Sequence, residues 1–325
     1  MTIRMLRLIS QHVFFFILTF SGRLGISLGP SLPCLSCPYV TGCGGVCYLR
    51  MLQSPMGGLG MNLAVLFTQR GLQALAAFGL FVVLVALFGQ SWCGWTCPFG
   101  LLQDYAARLR NKLRIREAIL SDRAMFTIKI FKCIFFVYLL IIPVLITLGL
   151  AHSDLTLPYC AICPVKLIMP LITGDPTYLN LDFTNSVLLT ESVVLIVFSG
   201  LVLVGMFFKT RFFCLICPMS LLISLFRPIF LLRLIKEPAA CLGCGNCRRV
   251  CPTTIDKSAP LSNDLKLSTK HIDAVRGFAK SCQGCFNCAQ CCSTEGSLGI
   301  KFGPKVIFRA SRSYAAKLLK RKSFH

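Results

Sequence analysis

The chain has 325 residues, 55% of them hydrophobic and 14% charged, with a formal net charge of +22. That balance excludes an ordinary soluble domain and points to the membrane class. Its 20 cysteines do not suit a small secreted disulfide scaffold in so long and apolar a chain, and their clustering favours metal or redox chemistry.

The basic excess does not imply nucleic acid. Lys and Arg flank apolar runs, as orientation in a lipid bilayer requires, and the final Lys317-Leu-Leu-Lys-Arg-Lys322 cluster suits an anionic membrane face. Thiolate-bound iron–sulfur clusters would also offset part of the positive charge.

Four segments have the length and apolarity of bilayer spans: about Leu8 to Leu28, Leu72 to Gly89, Ile128 to Leu150 and Leu188 to Phe208. The first contains Arg23 and lacks a small-residue cleavage pattern after its apolar core, so it reads as a retained helix. The third contains Pro143, where a kink is expected. Arg108, Arg110, Lys112, Arg114 and Arg116 follow the second span, and Lys209 and Arg211 follow the fourth. Between the third and fourth stands Lys166 among Asp154, Asp175 and Asp182. This asymmetry predicts a multi-pass protein of a bacterial-type cytoplasmic membrane. Both termini and the second loop would be cytoplasmic, with the first and third loops outside. Residues from about Leu221 to Ile235 read as an amphipathic interfacial stretch. The expected domains are a membrane part over 1–235, a cysteine-dense region over 236–303 and a basic amphipathic tail over 304–325.

In the second domain Cys241, Cys244, Cys247 and Cys251 follow the spacing C-x2-C-x2-C-x3-C, with Pro252 next. This is the bacterial ferredoxin run, whose fourth cysteine ligates the other cluster of a pair. Cys282, Cys285, Cys288 and Cys292 repeat the spacing, with Ser293 in place of proline. Cys291 competes with Cys292 for the last position, and the x3 spacing favours Cys292. One [4Fe–4S] cluster would then take Cys241, Cys244, Cys247 and Cys292, and the other Cys282, Cys285, Cys288 and Cys251. Zinc knuckles are the bland alternative, but zinc sites usually separate their cysteine pairs.

The membrane part holds four pairs that each end in Cys-Pro: Cys34/Cys37, Cys93/Cys97, Cys160/Cys163 and Cys214/Cys217. Their order against the spans is span, outer pair, span, inner pair, then the same again, which predicts a two-fold pseudo-repeat. The inner pairs (Cys93, Cys97, Cys214, Cys217) and the outer pairs (Cys34, Cys37, Cys160, Cys163) would each meet as four thiols, the number one cubane or one tetrahedral ion needs. Proline after the second cysteine suits the first turn of a helix, whose N-terminus favours thiolate and would lower the ligand pKa. Cys43 and Cys47 have no evident counterpart and stay open between a further metal, a disulfide and substitute ligands. The expected fold is thus α-helical in the membrane, with four transmembrane helices in a pseudo-repeat, followed by a small α+β two-cluster ferredoxin-like domain.

Trp92, Trp95, Phe99, Gln103 and Asp104 combine aromatic surface with polar ends, as a quinol site would. The plainer expectation is an aromatic belt for the tryptophans and a surface-helix acid for Asp104. Cys133, inside the third span, reads as a small apolar core residue.

CGWTCPFG at Cys93 to Gly100, the basic stretch after it, the later Cys-x2-Cys-Pro and the two ferredoxin runs together resemble the NapH/MauN-type membrane ferredoxins, relatives of the membrane part of NosR and of the CcoG/RdxA polyferredoxins. The resemblance covers most of the chain. It implies membrane-bound electron transfer, a quinol dehydrogenase component with quinol as substrate, and a redox protein partner. The chain departs from the pattern in the x2 spacing of Cys214 and Cys217 and in its outer cysteines. The function expected is electron transfer through two [4Fe–4S] clusters in the ferredoxin domain and one or two more in the membrane domain, between quinol or a cytoplasmic donor and that partner. A thiol–disulfide relay on the outer cysteines, or a copper-reducing assembly factor as the CcoG-like relatives suggest, are the alternatives.

Overall fold

Glycine sets where the first two spans stop. Helix α1 (Ile3–Phe20) tightens into a 3-10 turn (Ser21–Leu24) that ends at Gly25, in the left-handed region with φ 72. It therefore stops short of the expected Leu28, because the Gly25 and Ile26 N–H groups turn back to Gly22 and Ser21 carbonyls. The helix of the second span, Gln69–Phe88, ends at Gly89, φ 54, where an added Cβ would lie 2.7 Å from the Phe230 ring.

The computed structural model describes residues 3–37, 45–53, 69–118, 120–148, 150, 157–174, 181, 186–236, 240, 247, 250–251, 282–292 and 294–310. Four of its helices have the length and composition to cross a bilayer: Ile3–Leu24, Gly71–Phe88, Arg123–Ile146 and Leu188–Phe208. Large apolar side chains such as Phe16, Phe126, Ile134 and Leu201 stay exposed along them. Helices that satisfy their own backbone groups and present such faces are what a hydrocarbon layer accepts.

The chain divides into two compact units. One comprises Met1–Ser10, Val85–Trp95 and Ser224–His325; the other comprises Gln11–Leu84 and Thr96–Ile223.

In the larger unit, after α1, strands β1 (Gly29–Leu32) and β2 (Gly45–Cys47) pair in parallel, and helix α2 (Tyr48–Gln53) follows at once. Helix α3 is the second span, Gln69–Phe88, and α4 (Pro98–Lys112) carries the basic loop. Helix α5 (Asp122–Thr147) starts on a Ser121 cap, whose Oγ accepts the Ala124 N–H at 3.2 Å, and stays helical through Pro143. Short helices α6 (Pro158–Ile162) and α7 (Pro164–Thr173) pack on α8 (Ser186–Phe208), and α9 (Phe212–Ile216) and α10 (Pro218–Leu225) follow.

The segments expected outside the membrane lie alongside the spans. Tyr48, next to β2, stacks on Phe81 with ring centroids 4.3 Å apart, and Tyr159 of α6 meets Phe135 edge-on at 5.9 Å. Phe81 and Phe135 sit well inside their spans. Both cysteine-bearing turns are therefore buried at span depth, where irregular backbone is tolerated only when protein surrounds it.

The smaller unit holds an antiparallel sheet in the order β3 (Leu232–Lys236), β4 (Leu298–Phe302), β5 (Lys305–Arg309). Helix α11 (Asn287–Cys291) packs on β4. Two expectations are corrected here. Residues from Leu221 to Ile235 are not one amphipathic stretch but the end of α10, a 3-10 turn at Arg227–Ile229 and most of β3. Pro228 breaks the helix, and alternating Leu232 and Leu234 feed a ladder. The tail also begins as strand, because Val306, Ile307 and Phe308 favour β structure and Gly303, φ 55, makes the turn from β4. Residues 311–325 lie outside the described ones.

Candidate metal-cluster sites

Three of the shorter helices start directly after a cysteine. Pro98, Pro164 and Pro218 begin α4, α7 and α10, one residue after Cys97, Cys163 and Cys217. The N–H groups of Phe99 and Gly100 donate to Cys97, those of Val165 and Lys166 to Cys163, and that of Ser220 to Cys217. Cys47, ahead of α2, receives those of Leu49 and Arg50. These N–H groups stabilise negative charge on the sulfurs they face. Metal binding at such thiols must release protons.

Cys97, Cys214 and Cys217 lie close enough to act on one another electrostatically. Gln103, 1% exposed, sets their surroundings: its Oε1 accepts the Phe213 N–H at 3.0 Å and its Nε2 lies 3.4 Å from Cys214 Sγ. Phe99 and Phe213 pack edge-on at 4.9 Å beneath. Two cations stand nearby. Arg211 acts on Cys214, and Lys132 acts on both Cys214 and Cys217 while donating to Ser220 Oγ. That hydroxyl in turn donates to the Cys214 and Cys217 carbonyls, at 3.1 Å each. Cys93, the remaining member of the expected inner set, belongs to the smaller unit, on a π-helical turn (Trp92–Thr96).

The outer thiols gather differently from expectation. A cavity is lined by Cys37, Cys47, Cys160 and Cys163, with Leu35, Ser36, Tyr159, Val165 and Lys166. Cys34 is buried but does not line it. Cys47 is brought in by β2, with its N–H on the Ser36 carbonyl and Ser36 Oγ on the Gly45 carbonyl. Cys163 and Cys37 lie within electrostatic reach of Cys160. Gln53 accepts the Tyr159 N–H at 2.6 Å, and its Nε2 lies 3.9 Å from Cys160 Sγ.

The two gatherings adjoin, although the sequence suggests opposite membrane edges. The Leu35 N–H donates to Cys97, and Cys97 acts on Cys163. Tyr159 lies within electrostatic reach of Cys163, Cys217 and Cys47.

In the smaller unit, Cys282 is influenced first by burial and then by Cys285 and Cys251, which push it up to about 12, and the Gly284 N–H points at its sulfur. Cys288 feels Cys282, Cys285, Cys251 and Cys247. Cys247 packs against a small core of Cys288, Cys292, Leu298 and Ala310, whereas Cys291 is half-buried at the end of α11. Cys241, Cys244 and Cys43 lie outside the described residues.

The turn carrying Cys93 sits directly on the loop carrying Cys285. A Cβ on Gly94 would stand 2.8 Å from the Gln283 carbonyl oxygen and 3.3 Å from the Cys285 nitrogen. Trp95 Nε1–H donates to the Gly284 carbonyl at 2.9 Å, and its ring packs near Phe286. Gly284 has φ 61 and presses on Ser91, where a Cβ would lie 2.5 Å from Oγ. Ser10 Oγ–H donates to the Trp95 carbonyl, and Arg7 to Asn287. Trp95 thus holds the Cys93 turn against the Gln283–Phe286 loop.

Two residues weighed for a quinol site, Gln103 and Phe99, and a third, Asp104, have described partners here. Phe99 and Gln103 are buried at the thiols, and Asp104 pairs with Arg211. Cys133 is exposed on α5 rather than in a core.

Among the described residues no group of three or more His, Cys, Asp or Glu side chains is spaced to hold a single metal ion. Cubane ligands stand further apart, because each thiolate binds a different iron. Clustered soft thiols with N–H groups aimed at sulfur, and with Asp104 beside Cys214 held by Arg211, fit an iron–sulfur cluster.

Comparison with known proteins agrees. The 4Fe-4S binding domain family matches residues 71–116 and 192–236, and the 4Fe-4S dicluster domain family matches 233–293. YccM of Escherichia coli (strain K12), named for electron transport, is 23% identical over 75% of this chain and 61% of its own length. The methylamine utilization ferredoxin-type protein MauN of Methylobacillus flagellatus is 23% identical over 58% of each chain. MJ0750 of Methanocaldococcus jannaschii is 27% identical over 56% of this chain and 67% of its own. The chain thus spans about three fifths of the length of YccM and MauN. No solved structure matches it. The cofactor class is the [4Fe–4S] cluster.

Proposed function

We propose that this chain, a membrane polyferredoxin of the NapH/MauN type by its matched domains and relatives, carries electrons from its ferredoxin region into thiol sites buried among its apolar helices. The observation that carries the reading is the seating of Gly94 and Trp95 on the Gln283–Phe286 loop. That contact puts the backbone of the Cys93 turn against the backbone of a cluster-binding loop. In this reading Cys241, Cys244, Cys247 and Cys292 hold one cluster and Cys282, Cys285, Cys288 and Cys251 a second. Cys97, Cys214 and Cys217 hold a third.

A cluster bound at these thiols supplies one-electron exchange. The chain does the rest. Its buried helix starts exclude water, its N–H groups stabilise negative charge on sulfur, and Gln103 and Ser220 hold the two strands of the Cys214–Cys217 turn in place. Lys132 offsets part of the charge of the assembled site, favouring a reduced, more negative state, while Arg211 is paired with Asp104.

The electron donor in this reading is quinol or a cytoplasmic protein, and the acceptor is a redox protein docked on the assembly. The cytoplasmic membrane is its place, with both termini inside, as the arginine-rich α4 end supports. Redox titration monitored by electron paramagnetic resonance, with and without added quinol, tests the proposal. Dithionite is expected to develop [4Fe–4S] signals, and quinol to reduce a subset of them. A fully loaded protein whose signals stay unchanged at every potential would contradict it.

A further inference from the structure

The two membrane thiol gatherings are copies of one another down to a single carboxamide. From Cys47 the chain reads Cys-Tyr-Leu-Arg-Met-Leu-Gln53, and from Cys97 it reads Cys-Pro-Phe-Gly-Leu-Leu-Gln103. Both cysteines immediately precede a helix, α2 and α4. Both glutamines are 1% exposed. Gln53 Nε2 donates to the Leu49 carbonyl and Gln103 Nε2 to the Phe99 carbonyl, each one turn back, at 2.7 and 3.5 Å.

Each glutamine then reaches across to the second Cys-x2-Cys-Pro pair of its site. Gln103 Oε1 takes the N–H of Phe213, the residue before Cys214, and Nε2 approaches the Cys214 sulfur. Gln53 Oε1 takes the N–H of Tyr159, the residue before Cys160, and Nε2 approaches the Cys160 sulfur. A buried carboxamide must place both its donor and its acceptor. The same three partners at equivalent positions are therefore a built arrangement.

The correspondence equates Cys47, Cys160 and Cys163 with Cys97, Cys214 and Cys217. It replaces Cys34 by Cys47 in the outer set, in agreement with the lining of the outer cavity. The sequence copy extends one step further: Cys43-x3-Cys47 repeats the spacing of Cys93-x3-Cys97. Among the described residues the other cysteine lining that cavity is Cys37.

We propose that Cys47, Cys160 and Cys163 are ligands of a second membrane iron–sulfur cluster, with Gln53 as its positioning residue. The proposal rests on the iron–sulfur reading given above and adds a site to it. The adjoining position of Cys97 and Cys163 makes the two membrane sites neighbours in one electron path.

Iron and acid-labile sulfide per chain, measured on the full chain purified anaerobically in detergent, test the site. The variants are Cys47→Ser, Gln53→Leu, Cys97→Ser and the control Cys133→Ser. Cys47→Ser is expected to lose about four iron and four sulfide, one cubane's worth, while the ferredoxin signals and the Cys97-dependent signal persist. Those persisting signals also report that the variant has folded. Gln53→Leu is expected to keep most of the iron but to shift the midpoint potential and spectrum of the Cys47-dependent cluster alone. Full iron in Cys47→Ser, with loss in Cys97→Ser, would overturn this proposal and leave the previous one standing. Iron for the ferredoxin clusters alone in the unaltered protein would overturn both. Copper or zinc in place of the Cys47-dependent iron would overturn the cluster class.

Discussion

Arg211 grips Asp104 at two points, Nε to Oδ1 at 3.0 Å and Nη2 to Oδ2 at 2.7 Å. The arginine side chain is fully buried and the aspartate 11% exposed, and Gln11 adds a third hydrogen bond to the same carboxylate at 2.8 Å. Arg211 has a left-handed backbone, φ 57, and immediately precedes α9, so the pair fixes the turn that presents Cys214. Asp104→Asn leaves a buried guanidinium without its counter-charge. Loss of one member of such a pair costs about 3–5 kcal/mol, and a matching fall in the detergent unfolding midpoint is expected. The double change Asp104→Leu with Arg211→Met should cost less than Asp104→Asn alone, because no uncompensated charge remains.

Gly94→Ala tests the seating of the Cys93 turn. The new Cβ meets backbone atoms of Gln283 and Cys285, which have no flexible end to swing away. Overpacking of this kind costs about 1–3 kcal/mol. Slower electron exchange between the ferredoxin and membrane clusters is expected in freeze-quench experiments, with the iron content unchanged. Trp95→Phe, which removes only the donor to Gly284, should give a smaller effect of the same sign.

Lys132 is the cation that acts on both Cys214 and Cys217. Lys132→Met should move the midpoint potential of the Cys97-dependent cluster to more negative values, because a positive charge favours the reduced state. An effect on the order of tens of millivolts corresponds to less than tenfold in the one-electron equilibrium. Potentiometry of that signal alone checks the shift, and the ferredoxin potentials should stay where they are.

The dicluster region and several helix starts were legible as text. The ferredoxin spacings named the dicluster region, and the Cys-Pro pairs marked helix starts at Pro98, Pro164 and Pro218. The equivalence of Gln53 and Gln103 was also present, as a shared offset from Cys47 and Cys97, but Cys43 and Cys47 lack the following proline that drew attention to the other pairs. Trp95 was not legible, because its partner Gly284 lies far along the chain and belts give the same local pattern. Nor was the depth of the outer cysteines, since loop charge reports which side a segment leaves from and not whether it folds back against Phe81 and Phe135.

Glu117 gives a pH test outside the spans. Half-burial alone would raise its carboxyl, but Lys209, the Thr210 N–H and Arg110 bring it below the ordinary value of 4.5. A depressed carboxylate contributes stability that is complete above its unfolded pKa and is lost as pH falls through the folded one. The difference in unfolding midpoint between the unaltered protein and Glu117→Gln should therefore be steady at neutral pH and close below pH 4.5. A difference that does not change with pH would show that the Lys209 and Arg110 contacts at 3.1 and 3.4 Å contribute nothing.

The central claim is that cysteines among the apolar helices hold iron, beyond the two clusters of the ferredoxin region. Counting iron and acid-labile sulfide in the anaerobically purified full chain, beside Cys97→Ser and Cys214→Ser, tests it most directly. The account predicts more than about eight iron per chain, the content of two cubanes, with each substitution removing about four. Eight or fewer in the unaltered protein, unchanged by either substitution, would contradict it.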